Sequence, residues 1–93
     1  MISNGANEAL VILAEECSEV VQTVAKIHRW GPQECYGAGP TNLEKLATEL
    51  GDVKAMIDIA IDQLGIDPQF VEDAVAHKKI KLKKYSKFLQ HYV

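Results

Sequence analysis

Apolar residues recur every three or four positions over the first third of the chain, up to the break at Trp30 and Gly31. Residues with this spacing share one face of an α-helix, so the pattern predicts an amphipathic helix from about Glu8 to Arg29. Asn7 is the candidate N-cap of this helix. Its predicted apolar stripe consists of Leu10, Leu13, Cys17, Val20, Val24 and Ile27.

The same spacing returns in a second stretch that begins at Thr41 and ends before Gly65. Thr41 followed three residues later by Glu44 is a capping-box sequence, and glycine is common just past the end of a helix. These signals predict a second helix that ends at Leu64. Its stripe is nearly heptad, which is typical of a packed helical hairpin. It consists of Leu43, Leu46, Leu50, Val53, Ile57, Ala60 and Leu64.

Between the two helices, residues 31–40 contain three glycines and two prolines without periodicity, which predicts a loop. Trp30 and Tyr36 border this loop and have ring faces that can stack on a nucleobase. The other interpretation of Trp30 is that it closes the core at the end of the helix. A third helix is predicted from Asp67 as N-cap and Pro68 at the first helical position.

The sequence therefore predicts an all-α protein with one domain over residues 1–93: a helical hairpin followed by a third helix. The hydrophobic content is high, at 47% of the residues. A chain of this length cannot cover all of its apolar stripes internally. We expect a homodimer or homotetramer in which a four-helix-type bundle is completed by association.

Four acidic residues lie beside the two stripes at matching helical angles. Glu16 and Glu19 on the first helix correspond to Glu49 and Asp52 on the second, with an offset of thirty-three residues in both cases. If the two helices pack antiparallel, a local two-fold axis brings these carboxylates to the same side of the interface. Clustered carboxylates destabilise a fold unless a cation compensates them, and magnesium prefers oxygen ligands. A solvated acidic surface is the simpler alternative for either pair alone.

Charge is unevenly distributed along the chain. Residues 1–73 contain four basic and all thirteen acidic residues, whereas residues 74–93 contain six lysines and no acid. An acidic body followed by a basic segment suggests a polyanionic ligand that is held by metal and lysine together. The candidate phosphate contacts are Lys78, Lys79, Lys81 and Lys84; the alternative is a soluble helix surface with lysines placed favourably near a helix C-terminus.

Several other classes of function lack their sequence signals. No apolar run reaches the length of a membrane span, and the N-terminus lacks the layout of a signal peptide, so a cytoplasmic protein without membrane partners is expected. The three histidines have no zinc-site spacing, and no glycine-rich phosphate loop occurs. Cys17 is interpreted as a core residue and Cys35 as incidental.

The acidic motifs, Glu15 and Glu16 with Glu19, then Glu49 with Asp52, resemble those of the MazG-type nucleoside triphosphate pyrophosphohydrolases. The resemblance extends from Leu10 to about Tyr85. It implies an all-α pyrophosphatase bundle that binds magnesium, or manganese in its place, through Glu16, Glu19, Glu49 and Asp52. The connection between the two motifs is longer than in the family pattern, with the loop as the extra length, and this loop is a candidate wall of the base pocket.

The activity implied by this resemblance is hydrolysis of a nucleoside triphosphate to the monophosphate and pyrophosphate. Glu16 or Glu15 is the candidate general base, and Lys78, Lys81 and Trp30 are the candidate substrate contacts. Related helical dUTPases and phosphoribosyl-ATP pyrophosphohydrolases are alternatives. A third alternative is a non-catalytic helical interaction module, but nucleic acid is an unfavoured partner because the lysine run has no interleaved aromatic residues before Tyr85.

Overall fold

The computed structural model describes residues 2–92, which form three helices: α1 (Asn4–Trp30), α2 (Asn42–Leu64) and α3 (Pro68–Tyr85). The all-α prediction is confirmed for this part of the chain, where the only extended pairing is an isolated bridge between Cys35 and Thr41. None of these helices is long and apolar enough to cross a membrane.

Helix α1 begins four residues earlier than its apolar spacing predicted. The N-cap is Ser3 rather than Asn7, and its hydroxyl accepts a hydrogen bond from the Ala6 amide at 3.1 Å. At the other end, the Gly31 amide donates to the Ile27 carbonyl at 2.8 Å. Gly31 has φ = 96°, a conformation that glycine adopts without strain, so the chain can leave the helix there.

Both ends of α2 agree with the prediction. The Thr41 hydroxyl accepts from the Glu44 amide at 3.1 Å, and the Glu44 carboxylate accepts from the Thr41 amide at 3.0 Å, which completes the capping box. Gly65 ends the helix in the left-handed conformation. The start of α3 is also as predicted, because the Asp67 carboxylate accepts from the Gln69 amide at 2.9 Å and Pro68 follows at the first position.

Helices α1 and α2 pack antiparallel and form the hairpin of the molecule. Gly5 near the start of α1 lies against the side chain of Gln63 near the end of α2. Glu16, eleven residues further along α1, lies beside Asp52, eleven residues back along α2. One antiparallel register therefore runs through the hairpin. It places the two acidic motifs opposite each other.

The contact between these helices, here called the seam, differs from the predicted stripe on α1. Buried or half-buried side chains follow a heptad spacing that is shifted by one residue at every second position. Cys17, predicted to be in the core, is exposed. The seam consists of Ala6, Ala9, Leu13, Glu16, Val20, Thr23 and Ile27 of α1 with Leu46, Glu49, Val53, Met56, Ala60 and Leu64 of α2.

The residues displaced from the seam form a second surface, here called the apolar face. They recur every seven residues on both helices, so their side chains form two parallel rows along the hairpin. Their helical angles put them on the opposite side of the seam from Glu19 and Asp52. The apolar face consists of Leu10, Cys17, Val24, Leu43, Leu50 and Ile57, all of which are exposed.

Helix α3 packs little against the hairpin, and none of its residues is buried. The Cα radius of gyration is 16.2 Å, whereas a compact chain of this length has a value of about 12 Å. The accessible surface is 7355 Å², against about 5,400 Å² for a typical folded monomer of this mass. A single chain thus leaves roughly 2,000 Å² more surface exposed than a typical monomer of this mass.

Candidate functional site

The candidate site lies in the middle of the hairpin, where the seam contains carboxylates instead of apolar side chains. Glu16 occupies the seam position between Leu13 and Val20, and Glu49 occupies the equivalent position between Leu46 and Val53. A seam that is otherwise apolar or small therefore carries one acidic side chain from each helix. Sequence reasoning put both residues beside the stripe rather than in it.

Glu49 is the more deeply buried of the two carboxylates. Its residue surface is only 7% exposed, and its Oε1 atom is inaccessible and has no hydrogen-bond partner among the described residues. Buried polar atoms are nearly always hydrogen-bonded, because desolvating an ionised oxygen without compensation is costly. An oxygen of this kind fits a site that receives a cation or another positively charged group.

Glu16 has a similar but less buried environment. Its Oε2 atom is inaccessible and has no hydrogen-bond partner in the described structure, whereas the residue as a whole is half-buried. Burial raises the pKa of the Glu16 carboxyl above its ordinary value. The negative charges of Glu19, Asp52 and Glu15 raise this pKa further, and a hydrogen bond with Asp52 adds to the effect.

The other predicted ligands, Glu19 and Asp52, are exposed at the edge of the seam, as is Glu15. The electrostatic effects on Glu16 indicate that Glu15, Glu19 and Asp52 are all close to it. Among residues 2–92, no three His, Cys, Asp or Glu side chains are arranged as a ready-made metal site. The structure therefore offers neighbouring carboxylates with two partnerless oxygens, rather than a closed cage of ligands.

This donor set fits a hard divalent cation that retains water. Magnesium takes oxygen ligands, usually keeps several waters, and is commonly held by one or two carboxylates together with substrate phosphates. The oxygens of Glu16 and Glu49 that lack partners lie on opposite helices and are of the type that such an ion takes as ligands. Glu19 and Asp52 lie where they can contribute further oxygens directly or through water.

The predicted substrate contacts lie away from these carboxylates. Lys78 and Lys81 are exposed on α3, which does not pack substantially against the hairpin, so one chain does not bring them into the seam. Trp30 ends α1 and is 61% exposed, so the interpretation that it closes the core is wrong. It lines a cavity at the loop end of the hairpin, together with Lys26 and Lys45.

Sequence reasoning did not single out Lys26 and Lys45. The available signal was their position: each lies within one or two helical turns of the loop, on the two helices that the loop connects. Similarly, the seam positions of the two glutamates could have been found from the start of the heptad at Ala6 and Ala9. The predicted stripe starts at Leu10 because leucine is more hydrophobic than alanine, and this places it one position away from the buried Ala9.

Compared with known protein families, curated proteins and solved structures, the chain shows no match. The similarity to MazG-type enzymes thus depends on the spacing of the acidic motifs and on the helical architecture.

Proposed function

We propose that this protein is a magnesium-dependent, MazG-type nucleoside triphosphate pyrophosphohydrolase. The observation that carries the proposal is the pair of inaccessible carboxylate oxygens, one from Glu16 and one from Glu49, that lack partners in the seam. Acidic side chains on a solvated helix surface normally keep their carboxylate oxygens exposed to water. A non-catalytic interaction module is disfavoured for the same reason.

Glu16, Glu19, Glu49 and Asp52 would hold the cation. When bound, magnesium or manganese neutralises triphosphate charge, orients the phosphates and promotes ionisation of water. The hairpin contributes a rigid antiparallel register that holds acidic side chains from two helices on one side of the seam. Such positioning contributes to rate because catalytic groups need no reorganisation during the reaction.

Hydrolysis consists of attack by water on the α-phosphorus and departure of pyrophosphate. One P–O bond forms and the bond to the bridging oxygen breaks, which yields the nucleoside monophosphate. Glu16 is the first candidate to accept the proton of the attacking water, because it lies within the cluster of carboxylates proposed to hold the cation. Glu15 is the second candidate, since it is adjacent and exposed.

The active form is a homodimer or homotetramer in which the apolar faces of two hairpins pack together. Exposed fractions of 47% at Leu50 and 49% at Leu43 are high for residues at heptad positions. The excess surface of roughly 2,000 Å² belongs to one chain, so two chains have about 4,000 Å² together, which is within the total area that obligate homodimer interfaces bury. Association also gives α3 and its lysines Lys78 and Lys81 a neighbouring subunit against which to pack.

The decisive experiment measures pyrophosphate release from a panel of nucleoside triphosphates, dUTP and phosphoribosyl-ATP, with and without magnesium. We expect turnover that requires the metal, and at least a 100-fold loss in Glu49→Ala, equivalent to about 2.7 kcal/mol of transition-state stabilisation. Glu72→Ala on α3 is the control and retains activity. Full activity in Glu49→Ala, or release that is indifferent to magnesium, contradicts the proposal.

A further inference from the structure

The loop end of the hairpin contains a cavity of about 440 Å³. Its walls come from the last turns of α1, the connecting loop and the first turn of α2. A cavity of this volume falls within the range of small-molecule sites. The side chains that line the cavity include Lys26, Trp30, Glu34, Tyr36, Asn42 and Lys45.

The loop that forms this cavity is held in place by hydrogen bonds to the start of α2. The Asn42 amide donates to the Glu34 carbonyl at 2.8 Å, and the Leu43 amide donates to the Pro32 carbonyl at 2.9 Å. The Asn42 side chain also donates to the Gly31 carbonyl at 3.1 Å. These bonds tie the first half of the loop, residues 31–34, to the start of α2, so a ligand need not order this part of the cavity wall.

Two aromatic side chains on the cavity wall are unusually exposed. Trp30 is 61% exposed and Tyr36 is 98% exposed, so neither contributes its ring to a core. Exposed rings on a fixed loop provide stacking platforms for a planar ligand. Lys26 and Lys45 add positive charge to the same cavity, which favours a ligand that also carries phosphate.

The cavity is within one nucleotide length of the acidic seam. Lys45 precedes Glu49 by four residues, and Lys26 follows Glu19 by seven. With a rise of 1.5 Å per residue, these separations are about 6 Å and 10 Å along the helix axes. A triphosphate held at the carboxylates can therefore extend its ribose and base toward the cavity.

We propose that this cavity is the nucleobase pocket of the enzyme and that it selects bases with an exocyclic amino group. The proposal builds on the pyrophosphohydrolase function given above. Trp30 and Tyr36 stack on the base, and Lys26 and Lys45 face the sugar-phosphate side. Glu34 is the selective group, because a carboxylate accepts hydrogen bonds but cannot donate them.

This acceptor discriminates between bases by their edges. Cytosine and adenine present an amino group to a carboxylate, and guanine presents its N2 amino group. Uracil and thymine present a carbonyl oxygen where cytosine has its amino group, which leaves Glu34 facing another acceptor. Uracil nucleotides, which include the substrate of the dUTPase class, should therefore bind this pocket more weakly than nucleotides whose base has an amino group.

Trp30 is the only tryptophan of the chain, so its fluorescence reports on the pocket directly. The intact protein is titrated without metal with CMP, AMP, GMP and UMP, and with ribose 5-phosphate as a ligand that lacks a base. We expect saturable quenching by the amino-bearing nucleotides, at least tenfold weaker binding of UMP, and no quenching by ribose 5-phosphate.

Two variants test the assigned roles. Tyr36→Ala weakens CMP binding by about 5- to 150-fold, the range expected for loss of one stacking contact. Its control is Tyr85→Ala on α3, which leaves binding unchanged. Glu34→Gln brings UMP within about threefold of CMP, because an amide can both donate and accept, whereas Glu72→Gln keeps the discrimination.

Equal quenching by ribose 5-phosphate and CMP, or unchanged CMP binding in Tyr36→Ala, contradicts the assignment of this cavity as a nucleobase pocket. Tyr36 is almost fully exposed, so its removal costs no core packing. Glu49→Ala separates this proposal from the function: it abolishes turnover but leaves quenching by CMP intact. Base-selective quenching without any pyrophosphate release contradicts the proposed activity but supports the nucleobase pocket. Magnesium-dependent pyrophosphate release without base-selective quenching supports the activity but contradicts the pocket.

Discussion

The hairpin and α3 differ in how their apolar residues are used, although both are regular, well-capped helical segments. The hairpin buries small residues and two partly or fully buried glutamates in its seam, whereas α3 buries nothing. In α3, lysines at 78, 79, 81, 83 and 84 interrupt the apolar positions. A helix forms from its local sequence and caps, but it packs only where its apolar residues keep one face.

The largest expected effect of a substitution is on association. Leu50→Asp places a charge in the centre of the apolar face, so we expect the oligomer to dissociate at micromolar concentration. Ile80→Asp makes the matched change on α3. If the hairpins meet through the apolar face, Ile80→Asp should weaken the oligomer less than Leu50→Asp does. Light scattering measures both. A parent protein that is monomeric at this concentration contradicts the proposed association.

The next effect concerns packing in the seam. Ala9 is 3% exposed, so Ala9→Leu inserts extra volume between α1 and α2 and should lower the free energy of unfolding by about 1–3 kcal/mol. Ala76→Leu makes the same change on exposed α3, where about 0.5 kcal/mol or less is expected. Urea denaturation gives both values. Equal destabilisation by the two changes would mean that α3 is packed as tightly as the seam.

A smaller effect is expected at the start of α2. Thr41→Ala removes the hydroxyl that accepts from the Glu44 amide and should destabilise the protein by about 1 kcal/mol at neutral pH. Hydrogen bonds from the Thr41 backbone and side chain lower the pKa of Glu44 below its ordinary value. The associated stability is present above the unfolded pKa and is lost as pH falls through the folded pKa.

The difference in unfolding free energy between the parent and Glu44→Gln, which removes the ionised cap, should therefore shrink below the ordinary glutamate value of 4.5. Denaturant midpoints at pH 7 and in acid measure this difference. Ser86→Ala near the end of α3 is the control, and its effect should not follow the titration of Glu44. A Glu44→Gln difference that is constant with pH rules out the contribution of the capping carboxylate.

The smallest effect is predicted for Glu16→Gln in metal-free protein. The folded pKa of Glu16 is raised, so its contribution to stability is fully present below the unfolded pKa and is lost as pH rises through the folded pKa. Above this range the glutamine variant should be the more stable protein, and the two should converge in acid. Thermal midpoints measured across this pH range test the prediction, with Glu72→Gln as the control. A parent protein that is more stable than Glu16→Gln at neutral pH would contradict it.

Magnesium should reverse this order. It binds the folded site rather than the unfolded chain, so the thermal midpoint of the parent rises with metal concentration, and the rise disappears in Glu49→Ala. The same midpoint shift in the parent and in Glu49→Ala would mean that the ion binds outside the seam.

Much of the secondary structure could be predicted because its signals are local. Thr41 with Glu44, Gly65, and Asp67 with Pro68 are sufficient to end or begin helices without knowledge of the remaining fold. The start of α1 was misjudged because Ser3 and Asn7 are both good caps, and the less apolar first turn hid the true beginning. Alanines at 6 and 9 were overlooked because a small side chain gives little hydrophobic signal.

The sequence by itself determined three capped helices, a turn-rich connection, the thirty-three-residue correspondence of the acidic motifs, and the contrast between acidic body and basic end. Only the tertiary structure decided which side of each stripe faces the other helix. Two adjacent rows on α1 are both compatible with heptad spacing, and the closely packed row is the one with small residues at Ala6 and Ala9, because helices approach where side chains are short. That choice buries Glu49, half-buries Glu16 and leaves Leu10 and Leu50 outside.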